Sequence, residues 1–220
     1  MKKTLVIILI LCSFFLTACQ SALGKYSPYI SELRDEVMLG ESEKFSVTLI
    51  SGERENPFEV NGQTGEKTDF TVVTLSPKEE GEYNFTYLIK IGEEILSGKF
   101  TPHPFKNTYS FEVDRRAVGT AFLSINDGEK DYELNLSSIK TEQILSPSDA
   151  LDIACHRLKN SIESVTSDGK LNAEIFIRYI ENPISSEKTY FWYIAFAPEK
   201  YTTFAVLIDP VSGEIVAVRE

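Results

Sequence analysis

Apolar and polar positions alternate in short runs along most of this chain. Phe45, Val47 and Leu49 are separated by Ser46 and Thr48, and residues 70–75 and 83–89 repeat the period of two. A period of two puts one set of side chains on one face of a pleated strand. Further strands are predicted at 96–100, 109–113, 117–123 and 132–136, with hairpin turns at Gly92-Glu93 and at Asn126-Asp127-Gly128. Residues 30–38 suit an edge strand or a short helix and are read as strand. Such a series of short strands closes most naturally as an antiparallel sandwich of Ig-like pattern over residues 26–145.

The period changes after residue 145. Ser146, Pro147 and Asp149 form a helix start, with a Ser cap, Pro at the first helical position and an acidic third residue. Leu151, Cys155, Leu158, Ile162 and Val165 then recur at alternating spacings of four and three, which predicts one amphipathic helix stopped at Ser167-Asp168-Gly169. Strands are predicted at 171–180, 189–197, 203–209 and 214–219. A helix followed by an antiparallel meander is an α+β layer over residues 146–220. The fold class expected is therefore α+β overall: an all-β Ig-like sandwich, then one helix packed on an antiparallel sheet.

The first residues follow neither period. Lys2 and Lys3 precede the apolar run Leu5 to Leu11, extended by Phe14, Phe15 and Leu16, which is shorter than a spanning helix. A positive flank, a short apolar core and small residues before a break make a signal peptide, residues 1–18. The break, Leu16-Thr17-Ala18-Cys19, resembles the lipobox of bacterial lipoproteins. That resemblance implies cleavage before Cys19, diacylation of its sulfur and residence on the outer side of the cytoplasmic membrane. Two acyl chains make a stable anchor where one does not. Residues 19–25 would then be a short lipidated tether, with the sandwich nearest the membrane. Cys12 leaves with the signal and Cys19 is lipidated, so Cys155 is the remaining thiol and no internal disulfide forms.

A second resemblance lies in residues 148–220. The opening Ala150-Leu151-Asp152-Ile153-Ala154, the aromatic Tyr190-Phe191-Trp192-Tyr193 and the closing Ile208-Asp209-Pro210-Val211-Ser212-Gly213-Glu214-Ile215 are similar to a PepSY-type domain. The family implies a small binding domain or a restraint on a peptidase, and it supplies no catalytic residues to carry over. The polar turn around residues 182–188 is longer than its pattern.

Charge narrows the function classes. Lys and Arg number 22 against 33 Asp and Glu, a net charge of -11, so nucleic acid is an unsuitable partner. No metal ligand set, nucleophile elbow or phosphate loop is present, and no cofactor is expected. Cys155 is read as a packing residue, since the adjacent His156 points elsewhere on the helix, and His103 is read as local. The many carboxylates, Glu53, Glu55, Glu93 and Glu94 among them, are read as solvated surface. Residues 51–69 are read as a long polar loop that is either a binding surface or ornamental. In the C-terminal sheet, Tyr190, Trp192 and Phe196 share one face and Phe191 and Tyr193 the other. One face lies under the helix, and the other needs a cover. Trp192, Phe196, Tyr190 and Arg54 are the candidate partner-binding residues. The function expected is a non-catalytic, membrane-anchored module that binds a protein or peptide. The alternatives are a carboxylate-based hydrolase of wall polymers and a structural envelope protein.

Overall fold

The computed structural model describes residues 21–220 apart from 186; the predicted signal peptide and Cys19 lie outside the described residues. The fold is mostly antiparallel β-sheet with a few short helices. A short helix α1 (Ala22–Tyr26) and one 3-10 turn lead into β1 (Ile30–Glu41), a twelve-residue strand. Then come β2 (Phe45–Glu55), β3 (Lys67–Pro77), β4 (Thr86–Ile91), β5 (Glu94–Lys99), β6 (Thr101–Pro102), β7 (Tyr109–Val113), β8 (Thr120–Asn126) and β9 (Asp131–Ser138). Helices α2 (Pro147–Arg157) and α3 (Lys159–Ser164) follow, then the small β10 (Thr166–Ser167) and β11 (Lys170–Leu171). The chain ends in β12 (Glu174–Glu181), β13 (Tyr190–Ala197), β14 (Phe204–Ile208) and β15 (Ile215–Arg219).

Strand β1 ties the molecule together. Its first half pairs in parallel with β12, through Leu33 with Ile177 and Arg34 with Arg178. From Glu32 to Glu41 it pairs antiparallel with β2, with a bulge between Arg34 and Glu36, and its second half also meets β9 through Met38 and Leu39. One sheet path therefore runs β15-β14-β13-β12-β1-β2-β3-β7-β6, while β9, β8, β4 and β5 fold back over its second half. Phe45, Leu49, Leu75, Ile89, Leu123 and Leu136 fill the space between, a sandwich-like arrangement around one apolar cluster. A second cluster joins Val37, Leu151, Ala154, Leu158, Ile162, Ile177, Trp192, Ile194 and Phe196.

Most strand expectations hold, and the differences have local causes. Helix α2 begins with the full capping box: Ser146 accepts from the Asp149 backbone, and Asp149 accepts from that of Ser146. Such a cap stabilises by about 1 kcal/mol. The expected single helix is two, because Leu158 leaves helical geometry at φ -97 and ψ 19 while its side chain stays in the core. The stop is the β10–β11 hairpin, where Asp168 and Gly169 both take positive φ as a two-residue turn requires.

Two expectations about the ends and loops are corrected. Residues 22–25 are not an extended tether: α1 packs on α2, and the Ala22 N–H donates to Asp152 Oδ1 at 2.7 Å. The chain thus enters the fold beside the C-terminal helix, not at the sandwich. The long loop is also shorter than residues 51–69. Strands β2 and β3 pair without a break from Phe45 with Pro77 to Glu55 with Lys67, leaving residues 56–66 as the connection.

Candidate functional site

The expected binding residues separate into core and surface. Trp192 and Phe196 are fully buried, so neither presents a face to a partner. The Trp192 indole N–H donates to the Leu145 carbonyl at 3.1 Å, and Phe196 stacks on Phe204. Alternation had placed them correctly on one face, but that face is the one α2 covers. Tyr190 lies at the margin of the same side, half-buried, with its ring 5.5 Å from that of Tyr179. Arg54 is the member of the expected set that stands on the opposite face.

That opposite face is organised by cross-strand register. Directly paired residues project to the same side of a sheet, so one row reads Tyr193, Arg178, Arg34, Gly52 and Phe70 across β13, β12, β1, β2 and β3. The neighbouring row contains Phe176, Glu32 and Arg54. Arginines and aromatics interleave there. The Arg54 guanidinium lies 4.7 Å from the Phe70 ring centre and 5.7 Å from that of Phe58, and Arg178 lies 4.8 Å from that of Phe176.

Two of the three arginines are paired. Arg178 donates from Nε to Glu32 Oε2 at 2.6 Å and from Nη2 to the same oxygen. Arg54 pairs with Glu112. Arg34 lies close enough to feel both Glu32 and Arg178, but Glu32 is already engaged. Among the described residues its Nε is buried and has no hydrogen-bond partner. Burial first, and then Arg178, hold its pKa below the ordinary arginine value.

The 56–66 loop borders this face and is pinned by two buried carboxylates. Glu174 is fully buried and Glu55 is 3% exposed. Glu174 Oε1 accepts from the Asn61 N–H at 2.6 Å and from the Gly62 N–H, and Glu55 Oε2 accepts from the Gly65 N–H at 2.8 Å. Phe58 meets Phe176 edge-on with ring centres 6.1 Å apart. The apolar patch of Phe176, Ala195, Ala197 and Ala205 thus receives part of its cover from the chain itself.

Glu55 is therefore not the solvated surface group its composition suggests. Glu55 Oε1 and Glu174 Oε2 are both buried without a partner. Burial, and the Glu174 carboxyl beside it, raise the Glu55 pKa above the usual carboxylate value. Sequence reasoning missed Glu174, Glu32 and Arg34, because their environment depends on the parallel β1–β12 pairing between distant segments.

Cys155 and His156 both line a groove of about 570 Å³ between α1 and α2, with Tyr26, Tyr29 and Asp152. Burial pushes the Cys155 thiol up to about 12, so it stays protonated and is a poor nucleophile. No group of three or more metal-ligating side chains exists among the described residues. No helix among them is long and apolar enough to cross a membrane. No protein-family model, no curated protein and no solved structure matches the chain.

Proposed function

We propose that this protein is a lipid-anchored component of a bacterial cell envelope that binds a protein or peptide partner without chemistry on it. The observation that carries the reading is the row of Tyr193, Arg178 and Arg34 with Arg54 and Phe58 beside it. Arginine and large aromatics on a rigid sheet are the side chains that dominate protein interfaces. The reading moves the binding surface from the Trp192 side of the sheet to the opposite side.

The anchor rests on the Leu16-Thr17-Ala18-Cys19 pattern. Its closeness to Ala22, which is bonded to Asp152, would hold the α1–α2 end against the bilayer. The capped helix, the following meander and the Asp209–Gly213 turn support a PepSY-like unit over residues 146–220. In that turn Asp209 Oδ1 accepts from the Val211 and Ser212 N–H groups, and Gly213 takes positive φ. Such a unit makes restraint of a peptidase one form the binding takes. The strands around Phe45 and Leu123 support an Ig-like unit before it.

The hydrolase alternative needs two carboxylates converging in an open cleft. Glu55 and Glu174 converge, but both are sealed beneath the loop.

The test is crosslinking in membranes of the native host. The wild-type chain is compared with Tyr193→Ala, both retaining Cys19. A discrete adduct lost in the variant is expected, while equal adducts in both would refute the assigned face.

A further inference from the structure

We infer that the 56–66 loop is a proton-held strap, which lies closed over Phe176 while Glu55 carries a proton and lifts when Glu55 and Glu174 are both ionised. The device stands apart from whatever the sheet face binds.

The strap touches the body at few points. The Asn56 N–H closes its base by donating to the Glu66 carbonyl at 2.8 Å. Beyond that base the backbone is held by carboxyl groups. The Asn61 and Gly62 N–H groups donate to Glu174, and the Gly65 N–H donates to Glu55. Thr64 adds a hydroxyl contact with Ser31 at 3.3 Å. Gly62 sits against the chain at Glu199, where a Cβ would stand 2.8 Å from the Glu199 nitrogen, and its φ of 84 suits glycine. Phe58 is the side chain the strap lays on the sheet, edge-on to Phe176. Beneath it Phe176 is only 4% exposed, whereas Phe58 itself is 41% exposed.

The same carboxyl groups oppose each other. Glu174 is fully buried and Glu55 nearly so, and each keeps one oxygen without a partner. Two neighbouring carboxyls in such a site do not both ionise without cost. Among the described residues no cation offsets them. Lys67 stands opposite Glu55 across the β2–β3 ladder, but its side chain is exposed. Lys170, also exposed, borders the outer side of the strap with Gly62 and Glu199. Arg178 is paired with Glu32, Arg54 with Glu112, and Arg219 lies three strands away on β15. The remaining charged groups nearby, Glu59, Glu66 and Glu199, are acidic and exposed. Burial and Glu174 disfavour a charge on Glu55, the backbones of Gly65 and Glu59 favour one, and the first two prevail.

A proton on Glu55 removes one of the two charges and leaves its other oxygen bonded to Gly65. Loss of that proton sets two buried negative charges side by side, and lifting the strap admits water to both. Closure is therefore complete below the ordinary Glu range and is lost as pH rises through the raised value. The Glu55–Lys67 pair keeps the ends of the strap in place, so the opening is local. It swings Phe58 off Phe176 and uncovers the patch that Phe176 forms with Ala195, Ala197 and Ala205.

Two readouts on the full chain in detergent test the strap, from about pH 4.5 to about pH 8. Hydroxyl-radical labelling reports exposure of Phe176, scaled to the freely exposed Phe105 to cancel the reagent's own pH dependence. Thermolysin cutting within residues 56–66 reports the strap, compared between variants at each pH. In wild type both rise about threefold or more with pH and then level off. Glu55→Gln flattens both. Glu174→Gln removes the opposing charge, keeps an acceptor for Asn61 and Gly62, and weakens the rise. Thermal melting of each variant establishes that it is folded.

A flat response in wild type, or an unchanged rise in either variant, would overturn the strap. So would cutting of the strap without labelling of Phe176, or an equal gain in labelling at the core residue Phe45.

Discussion

Glu55 and Glu174, from strands at opposite ends of the chain, bring their carboxyl groups together beneath the 56–66 loop, each with one oxygen bonded to the loop backbone and one without a partner. Burial, and the Glu174 carboxyl beside it, raise the Glu55 pKa above the usual carboxylate value, which favours a proton on Glu55 where its second oxygen has no partner. A pKa raised on folding stabilises fully below the ordinary Glu value and loses that contribution as pH rises through the raised value. Hydrogen exchange of the Asn61, Gly62 and Gly65 amides should therefore be slowest in mild acid, after correction for intrinsic rates, and accelerate as pH increases. Glu55→Gln supplies a permanent N–H donor to Glu174 and should flatten the dependence. A pH trend unchanged in Glu55→Gln would contradict Glu55 as the titrating group.

Trp192 should behave as a core residue. Trp192→Ala leaves a cavity under α2 and strips the Leu145 carbonyl of its donor. A loss of about 3–5 kcal/mol in urea unfolding is expected. A change within about 0.5 kcal/mol would fit a surface side chain instead.

The β8–β9 turn should weaken in acid. Asp127 accepts from Lys44 Nζ at 2.8 Å and from the Glu129 and Lys130 backbones, and these bonds hold its pKa well below the usual carboxylate value. A depressed pKa contributes stability that is complete above the ordinary Asp value and falls away as pH drops toward the lowered one. Asp127→Asn should lower the melting temperature at neutral pH and narrow the gap from wild type below about pH 4. An equal gap at both pH values would contradict the pairing.

Cys155 should alkylate slowly in the folded chain. Its thiol is pushed up to about 12, so the thiolate fraction at pH 8 is far below that of an ordinary cysteine. Iodoacetamide labelling should need hours when folded and proceed readily in urea. Rapid labelling of the folded chain would restore Cys155 and His156 as a candidate reactive pair.

The strands and the capped helix were legible because each is written in local periodicity and turn chemistry. Phe45 to Leu49, Asn126-Asp127-Gly128 and Ser146 to Asp149 each carry their own instruction. Which face of β13 stays open was not legible, since Tyr193 and Trp192 are both large, apolar-bodied aromatics. The choice depends on where α2 lands. The carboxylate pair and the arginine row were hidden for a related reason. A charged residue within a strand reads as solvent-facing until its neighbours are known, and Arg34, Gly52 and Arg178 meet only through the β1 pairings.

The most direct test of the binding face is hydrogen exchange on the membrane-held chain, with and without a solubilised envelope fraction of its host. The account predicts added protection concentrated in β1, β12, β13 and the 56–66 loop, with the α2–α3 segment unchanged. No added protection, or protection confined to α2 and β15, would contradict it.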